Sequence, residues 1–460
     1  MMRYLGLDIV YQNVPKLDPN FIPLHLFNNA FLKGADKAFG IAVERNDGQI
    51  AAYQTRIHSA KAMREANLYY ISRLVKTLLW MKGGFRIYLS GNAEIYEAIK
   101  RQYAPGGTRA FDRGFMAGVF EHAFEVVQVP SLPENHETSY PIGGHFNGCR
   151  IGFDAGGSDR KVSAVIDGDC VYSEEVVWHP KEQTDPQYHF DGIIMAMQAA
   201  ASHMPRVDGI GVSSAGVCIG NRLMVSSLFT KVPAPLFDRM GKDIYLQAGQ
   251  RFGDIPITVC NDGDVTALSG AISSGQTSVL GIAMGTSEAA GYVDRSGNIT
   301  GWLNELAFVP VDASPDAMRD EWSGDIGCGV KYFSQDSIIK LALAAGIPLD
   351  MNATPAEKLK AVQSRMEQGD AAAADVYTSL GVYLGHTLAF YHGLYNFQNM
   401  LLLGRVMSGK GGNLIHETAL RVLREEYPLV ADAIRVSLPD EASRRIGQSV
   451  AAASLPKIER

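Results

Sequence analysis

Ile151-Gly-Phe-Asp-Ala-Gly-Gly-Ser-Asp-Arg-Lys161, running on into Val162-Ser-Ala-Val-Ile166, is the stretch on which the fold turns. It reads as an apolar strand, a tight glycine turn carrying a carboxylate and a hydroxyl, and a second apolar strand. Gly156 and Gly157 permit backbone angles that other residues resist, and let main-chain N–H groups approach an anion. Asp154 closes the first strand. A single carboxylate there can hold a hydrated divalent cation, because Mg²⁺ favours few carboxylates plus water and phosphate. Lys161 adds positive charge nearby. Taken alone, the stretch reads equally as an ordinary β-hairpin with a glycine turn.

Outward from it, the totals set bounds. A chain of 460 residues is too long for one core and divides into two or three domains. Its 46% hydrophobic and 20% charged residues are those of a globular protein, and a net charge of −7 argues against a dominant nucleic-acid surface. Cys149, Cys170, Cys218, Cys260 and Cys328 stand singly, which suits a reducing cytoplasm better than a disulfide framework. The start, Met1-Met-Arg-Tyr-Leu-Gly-Leu-Asp8, lacks the pattern of a signal peptide. No apolar run reaches the roughly 20 residues of a membrane span. A soluble, cytoplasmic chain is the expectation.

In chain order, residues 1–35 read as irregular. Phe39 to Ile57 reads as a hairpin about Asn46-Asp-Gly48, Ser59 to Trp80 as a helix, and Phe85–Leu89 as a strand. A further helix and strand complete a small α/β unit over residues 36–130, and Pro130 to Gly148 reads as a linker. Beyond the glycine hairpin, Tyr188, His189 and Phe190 read as extended and Asp191–Met204 as a helix. Ile255–Cys260 is a strand ending in Asn261-Asp262-Gly-Asp264. Val279–Met284 leads into Gly285-Thr286-Ser287, and Met400–Leu403 enters Gly404-Arg-Val-Met-Ser408-Gly409-Lys-Gly411-Gly412. Strands alternating with helices point to an α/β fold.

The order of these turns is more specific than any one of them. A first phosphate-type hairpin, a strand-end Asp, a second hairpin and a late glycine loop together resemble the actin-like superfamily of sugar kinases and Hsp70-type ATPases. Within it the chain most resembles the ROK family (repressors, open reading frames and kinases) over about residues 150–455. Gly209–Gly216, Gly327–Ser334 and Ile446–Ala453 carry the same texture.

The resemblance implies an actin-like, ribonuclease H-like two-lobed ATPase fold with an additional N-terminal α/β unit. It divides the chain into residues 1–148 (extension and linker), 149–275 (first lobe) and 276–460 (second lobe), the closing helix returning to the first. It further implies an ATP-dependent phosphotransferase for a sugar or polyol hydroxyl, with ATP and Mg²⁺ as cofactors and a homodimer possible. Asp262 would be the general base, Asn261 and Glu305 substrate contacts, and Asp154 the Mg²⁺ residue, acting through water. Gly156, Gly157, Ser158, Lys161, Gly285 and Thr286 would meet the phosphates. Gly404, Ser408, Gly409, Gly411 and Gly412 would lie along the nucleoside. Asp262 reads equally as a helix N-cap on residue type alone.

The chain departs from the family pattern on the sugar side. A Glu-x-Gly-His element that grips sugar, its His also binding zinc, corresponds here to Asn304-Glu305-Leu306-Ala307-Phe308. The three-cysteine cluster is reduced to Cys328, so no structural zinc is expected. The Asn expected after Gly220 is missing, with Ser226-Ser-Leu-Phe229 in its region. Glu288 brings negative charge to the second hairpin, where it points away, contacts substrate or metal, or impairs ATP binding. A non-catalytic sugar-sensing ROK protein is the alternative. The hairpin–helix–strand pattern of residues 36–130 makes a poor DNA-recognition unit.

Overall fold

The N-terminal third forms around one long helix. The computed structural model describes residues 2–139, 141, 143–438 and 441–458, with backbone alone for 441–446. A hairpin of β1 (Met2–Tyr4) and β2 (Leu7–Ile9) precedes α1 (Leu24–Leu32). The irregular path expected for residues 1–35 is therefore corrected at both places. Phe27 and Phe31 lie four apart on α1, are fully buried, and pack on Tyr69 and Tyr70. Strands β3 (Lys37–Glu44) and β4 (Ile50–Ile57) pair about Asp47 and Gly48, both at positive φ (58° and 68°). Helix α2 (Arg64–Lys82) stops at Gly83, whose N–H bonds back to Leu79 O. Then come β5 (Arg86–Ser90), α3 (Ala93–Gln102), α4 (Ala110–Phe120) and β6 (Glu125–Gln128), giving the sheet order β4-β3-β5-β6.

The second sheet takes β7 (Cys149–Ala155), β8 (Asp159–Ile166), β9 (Asp169–Val177), β10 (Gly209–Ser214) and β13 (Ile257–Asn261) in the order β13-β10-β7-β8-β9. β7, β10 and β13 run parallel, and β8 and β9 return antiparallel. Between β9 and β10 runs α5 (Pro186–Ala201), so Tyr188, His189 and Phe190 are helical rather than extended. Asp185 caps α5 and Pro186 occupies its first turn, a start signal that outweighs the aromatic run behind it. The hairpin β11 (Val217–Ile219) and β12 (Arg222–Val225) and the short helices α6 (Ala234–Leu236) and α7 (Ile244–Gly249) fill the connection to β13.

Helix α8 (Asp262–Ser274) leads to the third sheet, ordered β15-β14-β16-β17: β14 (Val279–Met284), β15 (Glu288–Val293), β16 (Asn399–Leu403) and β17 (Arg435–Ser437). Helices α9 (Gln335–Ala344), α10 (Pro355–Glu367), α11 (Ala371–Tyr395), α12 (Gly409–Glu426) and α13 (Pro428–Ala433) belong to this part of the chain. The closing helix α14 (Glu441–Ala453) returns to the second sheet. A Cβ on Gly152 or Gly211 would stand 1.8 Å from Ser449 O or 1.6 Å from Ala452 O, so only glycine mid-strand lets that helix dock.

Apolar residues of the N-terminal unit (Ile41, Val43, Leu74, Leu79) and of the third sheet (Leu280, Ile282, Met284) belong to one continuous core, while β7, β10 and α5 surround another. Among the described residues no helix is long and apolar enough to cross a membrane.

Candidate active site

Parallel pairing of β7, β10 and β13 brings three strand ends side by side, with Asp154 opposite Ser213 and Ser214 opposite Asn261. Ser213 Oγ donates to Asp154 Oδ1 at 2.7 Å, and Lys161 Nζ stands 3.9 Å from Asp154 Oδ2. Burial raises the Asp154 carboxyl above its ordinary value, and the Ser213 bond and Lys161 charge oppose that rise. Lys161 is held mainly by Asp159, at 2.5 Å. Gln448, on the returning α14, donates to both Ser213 Oγ (3.2 Å) and Asp262 O (3.3 Å). Gln448 ties the two strand-end acids together from behind, and sequence reasoning missed it. The mid-strand glycines 152 and 211 were the signal that something packs there.

The helix N-cap that residue type allowed for Asp262 is taken by Asn261. Asn261 is the N-cap of α8: its Oδ1 accepts from Gly263 N–H at 2.7 Å and its Nδ2 donates to Gly216 O at 2.7 Å. Asp262 is the first helical residue and half-buried, its carboxyl pushed up to about 7 by burial and by the charge of Asp154. Gly263 and Gly291 lie backbone to backbone, a Cβ on Gly291 falling 2.2 Å from Gly263 O. That contact seats the start of α8 against β15 and brings Asp262 to the second hairpin.

A group of carboxyls collects on this side. Asp264, buried, accepts from Asn304 Nδ2 (2.9 Å) and Tyr292 N–H (3.3 Å), and burial lifts it to about 7. Glu305 is also raised to about 7, by burial and by the charges of Asp262 and Asp264. Asn304, in a left-handed conformation (φ 53°), is held by Asp264 and by the Tyr395 hydroxyl at 3.0 Å. The structure thus assembles Asp154, Asp262 and Glu305 with an unforeseen neighbour, Asp264. Glu288 turns inward from the hairpin: it is buried, neither carboxyl oxygen has a hydrogen-bond partner, and burial followed by Glu305 raises it well above the ordinary value.

Asp264 gives a stability prediction. Its folded value lies above its unfolded one, so its contribution is fully present below about pH 4 and lost as pH rises through about 7. Asp264→Asn keeps an acceptor for Asn304 without the buried charge. Its melting temperature will exceed the parent's by about 2 °C at pH 8, on the order of 2 kcal/mol. The difference will vanish near pH 4, and calorimetric scans at both values check it.

Gly157, Ser158 and Thr286 are exposed at the tips of their hairpins, and Gly156 and Gly285 are half-buried beside them. From the late loop, the charge of Arg405 reaches Asp159. With Lys161 and Ser158 it holds that carboxyl below the usual range against its partial burial. Arg405 is a second residue that sequence reasoning left outside the site. Gly404, at φ 95°, lies on the backbone of Met284, and Ser408 precedes the first residue of α12. Gly409 lies against the Glu367 carboxylate. Gly411 and Gly412 face the Tyr377 ring and Met407 O, so close helix packing already accounts for both.

No group of three or more His, Cys, Asp or Glu able to hold a metal occurs among the described residues. Phe308 lies on Trp80 with ring centroids 4.2 Å apart, and the buried Cys328 Sγ is 4.0 Å from Asp325 Oδ2.

Comparisons with known proteins agree with this architecture. The chain is similar in fold to a ROK hexokinase from Thermus thermophilus (17% identity, 66% of this chain and 96% of that one, TM-score 0.52). It is similar to a ROK family transcriptional regulator, homolog of E. coli MLC protein (15%, 67% and 79%, TM-score 0.51). A third similar structure is a Streptococcus pneumoniae TIGR4 ROK family protein in complex with sucrose (10%, 66% and 97%, TM-score 0.50). No curated protein matches the chain. The family model described as "ROK family" matches residues 150–443, more than half of the sequence. With its two-lobed, actin-like α/β architecture, the chain belongs to the ROK family.

Proposed function

We propose that the protein is an ATP-dependent kinase for a hydroxyl of a sugar or sugar-like polyol, acting in a reducing cytoplasm. The observation that carries this reading is the half-buried Asp262, raised to about 7 at the start of α8 and flanked by Asp154 and Glu305. A carboxylate with that value is a competent base near neutral pH. Asp262 takes the proton from the acceptor hydroxyl as its oxygen bonds the γ-phosphorus and the bond to the bridging oxygen of ADP breaks. Glu305 accepts hydrogen bonds from further acceptor hydroxyls. Asn261 holds the start of α8, so that Asp262 keeps its place.

Gly156 N–H and Gly285 N–H close their own turns onto Asp159 O (3.0 Å) and Ser287 O (2.9 Å), which leaves the backbone N–H groups of Gly157, Ser158 and Thr286 to receive the phosphates, with Lys161 as a nearby cation. Gly404 and Ser408–Gly409 border the nucleoside. Asp154 fits a hydrated Mg²⁺: one oxygen is engaged by Ser213, and among the described residues no group of three or more His, Cys, Asp or Glu forms a direct cage. Mg²⁺ bound there would neutralise phosphate charge.

A sugar-sensing protein without transfer activity is the second reading, favoured by Ala307 and Phe308 in place of a Gly-His pair. Calorimetry separates the two. The kinase reading expects saturable Mg·ATP binding that is lost without Mg²⁺. Sugar binding with no nucleotide binding would favour the sensor.

A further inference from the structure

The segment 303–329 carries Glu305 and is held by the N-terminal unit at several places, among them residues 22–24, where Ala313 N–H bonds Ile22 O (2.8 Å) and Leu24 N–H bonds Val311 O (2.9 Å). The last carbonyls of a helix lack intrahelical partners. On α2 three of them are used: Trp80 O, Met81 O and Lys82 O accept from Glu305 N–H (3.1 Å), Asn304 N–H (3.0 Å) and Leu303 N–H (3.2 Å). Farther back on the same helix, Arg73 Nη1 and Lys76 Nζ reach Asp325 Oδ2 at 2.7 and 3.3 Å. Arg109, at the start of α4, bonds the same oxygen, and Lys76 also meets Asp112 at 3.3 Å. Every side chain in this cluster is 10% exposed or less.

Between these attachments on α2, Phe308 packs on Trp80 and lies 5.6 Å from the Phe111 ring. The segment is also joined to itself, Val311 N–H bonding Gly327 O at 2.8 Å and Gly329 N–H bonding Val309 O at 2.9 Å. Asp325 is thereby tied to residues 309–311, which Leu24 N–H also holds at Val311 O, and through them to the turn that begins at Glu305. Burial works to raise the Asp325 carboxyl, yet the charges of Arg73, Lys76 and Arg109 hold it well below the usual range.

We propose that Arg73, Lys76, Arg109 and Asp325 are positioning residues for Glu305, making the N-terminal unit an integral wall of the acceptor site. Helices α2 and α4 hold the acceptor turn through buried charge pairs and the Trp80–Phe308 contact. Asp325→Asn removes the carboxylate that Arg73, Lys76 and Arg109 share, and their mutual repulsion loosens the segment.

The assignment of Glu305 to the acceptor rests on the kinase reading, so the test has one arm that does not. Hydrogen exchange followed by mass spectrometry reads segment 303–311 in the full chain. In Asp325→Asn, exchange there is expected to accelerate at least about tenfold, with strands 149–155 and 279–284 unchanged. Asp325→Glu, which keeps the charge, restores much of the protection. Should Asp325→Asn fail to fold, Lys76→Met carries the same test with a smaller expected change.

Unchanged exchange at 303–311, or acceleration spread equally over both sheets, overturns the positioning role. In turnover, the KM for the acceptor rises about tenfold while that for ATP holds. Loosened exchange with an unchanged acceptor KM removes the link to Glu305. If the parent has no transfer activity at all, the kinase reading fails, and the exchange arm still decides the positioning role.

Discussion

Asp262→Asn will lower kcat for phosphate transfer by roughly 10²–10⁴-fold while leaving Mg·ATP and acceptor affinities within a few-fold. The substitution keeps the size of the side chain and the Asn261 cap of α8, and removes only the capacity to accept a proton. Burial and Asp154 place the carboxyl at about 7, so the free enzyme carries the ionised base only as pH rises through that value. The parent's kcat/KM is therefore expected to climb with pH up to about 7 and then level. In the variant that limb disappears. Bound Mg²⁺ would relieve the repulsion from Asp154, so the limb for kcat falls at lower pH than that for kcat/KM. Equal activity of parent and variant across the pH range would remove Asp262 from the mechanism.

Asp154→Asn has the second largest expected effect, roughly 10–100-fold in apparent Mg²⁺ affinity and in activity. Asparagine still accepts from Ser213, so the strand end is preserved and the change is one of charge. A second consequence is independent of the metal. The repulsion that helps raise Asp262 is removed, and the limb in kcat/KM shifts to lower pH. Magnesium titrations of initial rate and the pH profile measure the two separately. An Asp154→Asn enzyme with unaltered Mg²⁺ dependence would place the metal elsewhere.

What could be read in the chain and what could not follow from distance along the sequence. Asp154 and Asp262 were legible because each is a carboxylate at the end of a short apolar run, beside glycines that alter the backbone. The sheet orders place both at the mouth of the same parallel pairing. Asn261 was legible as part of the site, but its capping role depended on which residue begins α8, a boundary that residue type cannot locate.

Helix α4 was hidden by Gly114 and Gly118, which weaken the helical pattern even though Phe111 and Phe115 recur at helical spacing. Strand β9 and the true start of α5 were obscured by polar and aromatic residues that fit either conformation. Gln448 and the Asp325 cluster were illegible for a different reason: their partners lie hundreds of residues away, and a lone Gln or Asp carries no periodic signal. The N-terminal unit read as a small α/β unit of its own, since nothing local announces that Trp80, Met81 and Lys82 end against Asn304 and Glu305.

Transfer of labelled γ-phosphate from ATP, followed in parallel for the parent and Asp262→Asn over a panel of hexoses, amino sugars and polyols, tests the kinase assignment most directly. The expected result is Mg²⁺-dependent labelling of at least one acceptor by the parent and its near loss in the variant. Labelling of no acceptor by a parent that binds Mg·ATP, or equal labelling by both proteins, would contradict it.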